Sequence, residues 1–382
     1  MQYRSFGKLD WKPSALGFGA MRLPTIGEDQ GNIDEALATR MIRTAIDAGV
    51  NYVDTAWPYH KEQSEPLIGR CLQDGYREQV KLATKMPSWL IKEPADFDKH
   101  LDIQLKRLQT DHIDFYLLHS LNKTFWPNLR DLHVFEWAKK AIQSGRIGYL
   151  GFSFHDDLPL FKEIVDAYDW TFCQIMYNYM DTEFQAGTEG MKYAADRGLA
   201  VVIMEPIRGG SLARPAPQPV ADLWAGAPVQ RSQVDWALQW LWNQPEVSLL
   251  LSGMSEMRHV EENLDSAARS GVGTLDAGDL ELVKRVSEAY RALSPIPCTD
   301  CKYCMPCPEG VAIPRIFSIY NGFKMYGDEA GSKRSYNQFM NAENRADNCV
   351  ACGQCEAACP QQIEIIDWLK RAHEFLRELA AS

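Results

Sequence analysis

Eight short apolar segments alternate with amphipathic helical segments along most of the chain, and this alternation limits the possible folds. Strand composition is found in Ala15–Gly19, Tyr52–Asp54, Val80–Lys85, Ile113–His119, Ile147–Ser153, Phe172–Tyr177, Ala200–Met204 and Val247–Leu251. Helical spacing of apolar residues is found between them, in 34–48, 97–108, 132–144, 158–167, 190–197, 233–242 and 258–268. Strands that each lead into a helix run parallel, and eight of them favour a closed (β/α)₈ barrel over an open doubly wound sheet. No Gly-x-Gly-x-x-Gly motif follows the first segment, which weakens the open dinucleotide-binding alternative.

Titratable side chains stand at or just past the ends of three successive predicted strands. Asp54 ends the second strand, Tyr59 follows five residues later, Lys85 ends the third strand and His119 ends the fourth. The carboxyl ends of parallel strands form the catalytic edge of such folds. Each residue also has a structural explanation, such as a helix cap for the aspartate or core packing for the tyrosine, but their joint placement favours catalysis.

Together these four residues suit proton delivery by a phenol. A tyrosine hydroxyl has a pKa of about 10 and is a poor acid at neutral pH, but a nearby ammonium lowers the pKa toward the working range. We expect Lys85 to supply this charge, Asp54 to hold the lysine, and His119 to hydrogen-bond the phenol or a substrate oxygen. The quartet predicts a site that polarises a carbonyl group and protonates it as a hydride arrives.

Composition and charge argue against several other classes of function. The net charge of −11 and the lack of a basic stripe with interleaved aromatic residues make nucleic acid an unexpected partner. The sequence shows no signal peptide and no apolar run of about eighteen residues, so we expect no membrane span and a cytoplasmic protein. At 382 residues, the chain suits one large α/β domain and a smaller module.

Three further segments bear on the organisation of the chain. Residues 6–10 predict a turn between two short strands, which could form a hairpin lid. The proline-rich stretch 214–228 predicts a long loop that serves as a lid or cofactor clamp rather than as a domain boundary. An amphipathic helix is expected over 279–293, and the prolines just after it divide the chain into domains 1–293 and 294–382.

Eight of the ten cysteines lie between Cys298 and Cys359, in two runs that each end in Cys-Pro. The second run has the C-x₂-C-x₂-C-x₃-C-P spacing of bacterial ferredoxins, and the first has the same pattern shortened by one residue. Such spacing indicates metal ligands rather than disulfides. Zinc also binds four cysteines, but two runs that end in Cys-Pro fit it less well. Cys71 and Cys173 lie in apolar segments and are expected to be buried.

With the quartet and the barrel pattern established, residues 1–293 resemble the aldo/keto reductase superfamily. The resemblance lies in Asp54 and Tyr59 of VDTAWPY, Lys85 of LATK and His119 of YLLH, which match the catalytic tetrad of that family in order and context. It implies a TIM barrel that catalyses reversible NAD(P)H-dependent carbonyl reduction. It also implies that Tyr59 is the general acid and that Lys85 and Asp54 tune it.

The same resemblance implies contacts with a nicotinamide dinucleotide. The carboxamide would be held by Ser153 and Gln174, the pyrophosphate by the loop Glu205, Pro206, Ile207, Gly209 and Gly210, and the adenine end by Gly253, Ser255, Arg258, His259, Glu262 and Asn263. Three positions depart from the family. Phe154 replaces an asparagine, Met204 replaces a tyrosine that stacks on the nicotinamide, and Gly253 replaces a basic residue. Arg258 or His259 is then the expected cation, and the choice between NADPH and NADH stays open.

The tail resembles the α-helical ferredoxin domains fused to many redox enzymes, because the residues between the two runs have helical spacing. A last amphipathic helix is expected over 363–379. By this resemblance the fourth cysteine of each run crosses to the other cluster. One [4Fe–4S] cluster is then held by Cys298, Cys301, Cys304 and Cys359, and the second by Cys349, Cys352, Cys355 and Cys307.

We therefore expect an oxidoreductase that reduces a small carbonyl or oxidises an alcohol with NADP or NAD, linked to two [4Fe–4S] clusters. One alternative is a reductase fed through the clusters by a ferredoxin-like partner, with weak or no nicotinamide dependence. Because a hydride carries two electrons and each cluster one, direct coupling would need a radical intermediate or another cofactor. A second alternative is a tail that serves only as a structural or docking module. Trp57, Trp89, Phe125 and Trp126 either line an aromatic pocket or pack in the core.

Overall fold

The computed structural model describes residues 1–27, 29–298, 302–359 and 361–377. Within these residues eight parallel strands close into a barrel in sequence order, with β1 paired to β8. The strands are β1 Leu16–Gly19, β2 Tyr52–Asp54, β3 Lys81–Met86, β4 Ile113–Leu121, β5 Ile147–Phe154, β6 Phe172–Met176, β7 Ala200–Met204 and β8 Val247–Gly253. The predicted closed (β/α)₈ barrel is confirmed, and each predicted strand end lies within two residues of the observed one.

Helices follow the strands, and further helices form the C-terminal region, as predicted. In the part of the chain that the structure describes they are α1 Glu35–Asp47, α2 Ser64–Cys71, α3 Ala95–Leu108, α4 Phe125–Asp131, α5 Val134–Gln143, α6 Leu158–Asp166, α7 Gly187–Asp196, α8 Gln218–Ala225, α9 Gln233–Trp242, α10 Met257–Ala268, α11 Ala277–Ala292, α12 Ile313–Tyr326, α13 Glu329–Asn337, α14 Gln354–Ala357 and α15 Ile365–Arg377. The last helix was predicted to reach residue 379, and residues 378–379 lie outside the described part. No helix of the described residues has the length and apolar character needed to cross a membrane.

The N-terminal hairpin closes the end of the barrel where the strands begin. Antiparallel bridges join Tyr3 to Ser14 and Phe6 to Leu9, which confirms the predicted turn. The Phe6 ring is fully buried and lies 4.9 Å from the ring centre of Phe115 on β4. Gly7 has a φ of +55°, and a Cβ there would lie 2.6 Å from the Gly198 carbonyl oxygen just before β7. The hairpin is therefore a plug at the amino-terminal end of the strands, opposite the predicted catalytic edge.

The chain divides into two compact units. The first contains residues 1–209 and 234–278 and includes the whole barrel. The second contains residues 210–233 together with the residues from 279 onward. Within it, Arg214 forms an ion pair with Asp328 at 2.7 Å, and a helical core surrounds the buried side chains of Ile316, Tyr336 and Leu369.

This division differs from the boundary expected at residue 293. The proline-rich segment 210–233, which contains α8, groups with the second unit, and so does most of α11. The function of that segment as a lid or clamp stays a prediction, as does the domain boundary.

Candidate active site

Asp54, Tyr59 and Lys85 meet at the carboxyl ends of β2 and β3. The Lys85 ammonium donates to Asp54 Oδ1 at 2.6 Å, to the Thr55 carbonyl at 2.8 Å and to the Tyr59 hydroxyl at 3.3 Å. Lys85 and Asp54 are buried, at 0% and 2% exposure, whereas Tyr59 is half-buried. The sequence placed these residues at strand ends, and the structure brings their reactive atoms together.

Burial and neighbouring charges together set the pKa values of Lys85 and Tyr59. Burial by itself lowers the pKa of Lys85, but Asp54 and Tyr59 outweigh it and the net pKa is raised, so the lysine stays an ammonium. Burial raises the pKa of Tyr59 more than Lys85 lowers it. The net pKa shift of the phenol is therefore upward rather than downward, because desolvation of the phenolate exceeds the attraction of the cation. Tyr59 keeps its proton at neutral pH, as a proton donor requires.

His119 lies beside Tyr59 on β4. The two rings are 6.3 Å apart between centres and meet edge-on, and Trp89 lies 5.3 Å from the imidazole. Burial lowers the pKa of His119 well below its ordinary value, and the nearby Lys85 and His155 lower it further. The buried Nδ1 has no hydrogen-bond partner among the described residues. A neutral imidazole in this position can donate one hydrogen bond to a substrate oxygen.

A buried polar network between α2, α3 and β3 holds the backbone at Lys85. Glu65 on α2 accepts hydrogen bonds from the Thr84 hydroxyl at 2.7 Å and from the Gln104 amide at 2.5 Å. The same amide of Gln104, on α3, donates to the Lys85 carbonyl at 3.0 Å. Arg107 also pairs with Glu65, at 3.2 Å. Two helices thus hold the backbone of the strand that carries the lysine.

The four aromatic residues named from the sequence separate into two groups. Trp57 is buried under the Arg107 guanidinium, 4.0 Å from its ring centre, and donates to Glu62 at 3.0 Å. Trp126 is also buried. These two are packing residues, whereas Trp89 and Phe125 are half-buried, and Trp89 stands next to His119.

Ser153, Gln174 and Met204 lie on the adjacent strands β5, β6 and β7, with Ser153 in register with Gln174. The Ser153 hydroxyl accepts from the Ser120 backbone N–H at 2.8 Å. The Gln174 amide nitrogen lies 3.8 Å from Met204 Sδ. Its oxygen is buried without a hydrogen-bond partner among the described residues. That unsatisfied acceptor fits a ligand with an N–H group, such as a carboxamide.

The loop that follows β7 contains three residues with a left-handed backbone conformation. Glu205, Gly209 and Gly210 have φ values of +55°, +63° and +99°. Pro206 is buried, and Ile207 packs against the core and anchors the loop.

The sequence analysis missed Arg22, which lies between this loop and the end of β8. A Cβ at Gly209 would lie 3.2 Å from Arg22 Nη2, and one at Gly253 would lie 3.2 Å from Arg22 Cβ. Arg22 lies three residues after the end of β1. The sequence signal that could have pointed to it was Gly253, which stands where the family has a basic residue.

The remaining predicted contacts lie around the start of α10. Ser255 is exposed and His259 is half-buried. The exposed Arg258 lies 3.5 Å from Glu262, so these two form a surface pair. Asn263 is buried and donates to the Ser252 hydroxyl at 2.9 Å, which ties α10 to β8. The structure therefore gives Asn263 a packing role in the helix–strand contact.

The cysteine runs surround two cavities in the second unit. A cavity of about 200 Å³ is lined by Cys304, Cys307, Cys349, Cys352 and Cys355. A smaller cavity of about 20 Å³ is lined by Cys298, Cys304 and Cys359, and Cys301 lies outside the described residues. The described part contains no group of three histidine, cysteine or acidic side chains close enough to hold a single metal ion. The last cysteine of each run lines a cavity with earlier cysteines of the other run, which fits ligands shared between two clusters.

Two models of known families match this chain, one over the barrel and one over the C-terminal region. Residues 15–285 match the model of the aldo/keto reductase family. Residues 297–364 match that of the 4Fe-4S dicluster domain.

Individual relatives support the first match. YrpG of Bacillus subtilis, an uncharacterized oxidoreductase, is 31% identical over 234 residues, which are 56% of this chain and 68% of YrpG. L-galactose dehydrogenase of Arabidopsis thaliana is 26% identical over 317 residues, which are 77% of this chain and 97% of the relative. The holo form of an aldo-keto reductase from Bacillus halodurans has a TM-score of 0.63 and 26% identity, and the match covers 75% of this chain and 96% of that one.

Proposed function

Because the chain belongs to the aldo/keto reductase family, we propose that it interconverts a small carbonyl compound and its alcohol at Asp54, Tyr59, Lys85 and His119, with NADPH or NADH. The observation that carries this proposal is the buried chain of contacts from Asp54 through Lys85 to the Tyr59 hydroxyl. In that arrangement a buried cation lies 3.3 Å from the hydroxyl of the half-buried Tyr59.

Each residue of the quartet has a distinct role in carbonyl reduction. The Tyr59 hydroxyl donates to the carbonyl oxygen and passes its proton to that oxygen. Lys85 stabilises the phenolate that remains, and Asp54 holds the ammonium in place at 2.6 Å. Neutral His119 donates a second hydrogen bond to the same oxygen and orients the substrate. In alcohol oxidation the same groups work in reverse, with the phenolate as base.

A bound nicotinamide dinucleotide supplies the hydride that this proton transfer complements. We assign its carboxamide to Ser153 and Gln174, because the buried Gln174 oxygen lacks a partner among the described residues. Met204, at the end of β7, would face the ring. The Glu205–Gly210 loop and the 253–263 segment would hold the remainder. Arg258 is already paired with Glu262, so it is a weaker candidate cation than the sequence suggested.

The C-terminal unit is proposed to hold two [4Fe–4S] clusters. Cys298, Cys301, Cys304 and Cys359 would bind one, and Cys307, Cys349, Cys352 and Cys355 the other, in agreement with the linings of the two cavities. Such clusters carry one electron at a time. The dicluster match supports a redox function for this unit. A ferredoxin-like protein is the proposed electron partner.

Replacement of Tyr59 by phenylalanine tests the proposed reaction. We expect kcat for a panel of short aldehydes and ketones to fall about 100-fold or more, because the variant lacks the proton donor. The dissociation constant for NADPH should stay nearly unchanged. The exposed Tyr3→Phe is the matched control. Turnover of Tyr59→Phe close to that of the wild type would remove Tyr59 from the mechanism.

A further inference from the structure

Arg22 lies across the carboxyl end of the barrel between two glycines. Its Cβ, Cγ and Cδ would lie 3.2, 3.3 and 3.4 Å from a Cβ at Gly253, so its stem covers the end of β8. Its Nη2 would lie 3.2 Å from a Cβ at Gly209, so the guanidinium reaches the loop that follows β7. Larger residues at these two positions would displace the arginine. The side chain thus spans the two segments assigned to the cofactor.

The backbone on both sides of Arg22 is fixed by the catalytic region. The Ala20 N–H donates to the Asp54 carbonyl at 2.8 Å, and the Ser64 hydroxyl donates to the Ala20 carbonyl at 3.1 Å. After the arginine, the Leu23 N–H donates to His60 Nε2 at 3.0 Å. These contacts fix the backbone before a ligand binds, so this segment need not be ordered when Arg22 binds an anion.

The charged side chains around Arg22 leave its guanidinium available to an anionic ligand. Glu205 is the acidic group that faces it. Burial raises the pKa of Glu205, and the Arg22 cation opposes that rise. The neighbouring Arg208 is already paired with Asp181 at 2.9 Å. Arg22 is exposed, so a ligand in the open end of the barrel can reach its guanidinium.

We propose that Arg22 binds the diphosphate of the nicotinamide dinucleotide. This inference rests on the proposed function. A guanidinium matches two phosphate oxygens at once, and the glycine at 209 lets the diphosphate approach the loop backbone. Glu205 competes with the diphosphate for the same cation. Because NADPH and NADH share the diphosphate, Arg22 should contribute equally to the affinity for both.

Nucleotide titrations of the full-length protein test the assignment. We expect Arg22→Gln to raise the dissociation constants of NADPH, NADH and ADP-ribose by about tenfold or more, because a charge-assisted contact is lost. Arg22→Lys should recover part of the affinity. Glu205→Gln should tighten binding, because it removes the competing carboxylate. Arg40→Gln, which changes an exposed arginine on α1, should leave the NADH constant within about twofold, and the circular dichroism spectra should match.

The outcomes separate this inference from the proposed function. If the wild type binds NADPH or NADH and Arg22→Gln binds it equally well, the inference is wrong and the proposed function stands. If Arg22→Gln weakens NADPH but not NADH, the arginine reads the 2′-phosphate, and the diphosphate assignment is wrong. If the wild type binds neither nucleotide, the nicotinamide dependence and this inference both fail.

Discussion

The buried Lys85 ammonium donates hydrogen bonds to three oxygens, and one of them is the hydroxyl of Tyr59. We expect Lys85→Met to lower kcat by about 100-fold and to raise the pKa of Tyr59 still further. Carbonyl reduction needs the protonated phenol. The loss of the residual rate at high pH should therefore shift to higher pH, which a pH profile of kcat would measure.

Lys81→Met is the matched control for this change. Lys81 begins the same strand and pairs with Asp114 at 2.8 Å, far from the carboxyl end that carries the candidate site. Its pH profile should match that of the wild type. If Lys85→Met also keeps the rate and the profile of the wild type, Lys85 has only a structural function.

His119 makes the stability of the protein sensitive to mild acid. Its pKa is lowered on folding, so the unfolded chain binds the proton more readily. The free energy of unfolding should therefore fall as the pH drops from about 6.5 toward the lower pKa of the folded state. We expect the difference in urea stability between pH 7.5 and pH 5.5 to shrink by about 1 kcal/mol in His119→Gln.

The exposed His133 provides the control for that measurement, because its side chain is 76% accessible. An equal effect of His119→Gln and His133→Gln would contradict a special burial cost at His119.

The positions of the four proposed catalytic residues could be predicted from the sequence because strand ends are local features. The amphipathic pattern fixes where each strand stops, and the parallel order brings Asp54, Lys85 and His119 to one edge. The position of Arg22 could not be predicted, because it depends on glycines more than 180 residues away at 209 and 253. The direction of the pKa shift of Tyr59 also depends on three-dimensional burial, which motif spacing does not contain.

At the scale of elements, short helices with a proline in the first turn escaped the sequence analysis. Pro66 in α2, Pro127 in α4 and Pro219 in α8 all stand in the first turn, where the missing N–H costs no hydrogen bond. Each helix has only seven or eight residues, which is too short for a clear apolar period. α6 also has a proline at its start but was predicted, because the apolar pattern after Pro159 is stronger.

The contact between α2 and α3 should contribute strongly to the stability of the barrel. Glu65→Ala would leave Gln104, Thr84 and Arg107 without their shared buried acceptor. We expect this change to lower the free energy of unfolding by about 3 kcal/mol. It should also lower kcat, because Gln104 holds the Lys85 carbonyl. Urea unfolding and steady-state kinetics would measure the two effects.

Glu62→Ala is the control, since Glu62 pairs with the same arginine from a half-exposed position. The loss there should be about 1 kcal/mol or less. Equal losses for Glu62→Ala and Glu65→Ala would show that the buried network adds no more stability than the exposed ion pair.

At the scale of the whole molecule, the iron and sulfide content of the protein tests the proposal that the second unit holds two [4Fe–4S] clusters. Protein prepared without oxygen should be brown and carry about eight irons and eight sulfides per chain. Cys307→Ser should lose or convert one cluster, and Cys301→Ser the other, with NAD(P)H-dependent turnover at Tyr59 retained. Iron and sulfide assays with electron paramagnetic resonance of the reduced protein would measure this.

Cys71→Ala, a change within the barrel, is the control and should leave the iron content unchanged. If anaerobic protein binds zinc and no iron, the tail is a zinc-bound interaction module and the electron-transfer proposal is wrong.

The ion pair between Arg214 and Asp328 joins two separated stretches of the chain that together form the second unit. During synthesis, residues 210–233 leave the ribosome long before the helices that complete their unit, and must wait for them. A single cut in the chain therefore cannot excise either unit whole. An engineer who wishes to transplant the iron–sulfur module onto another barrel must move the insertion after β7 along with the tail.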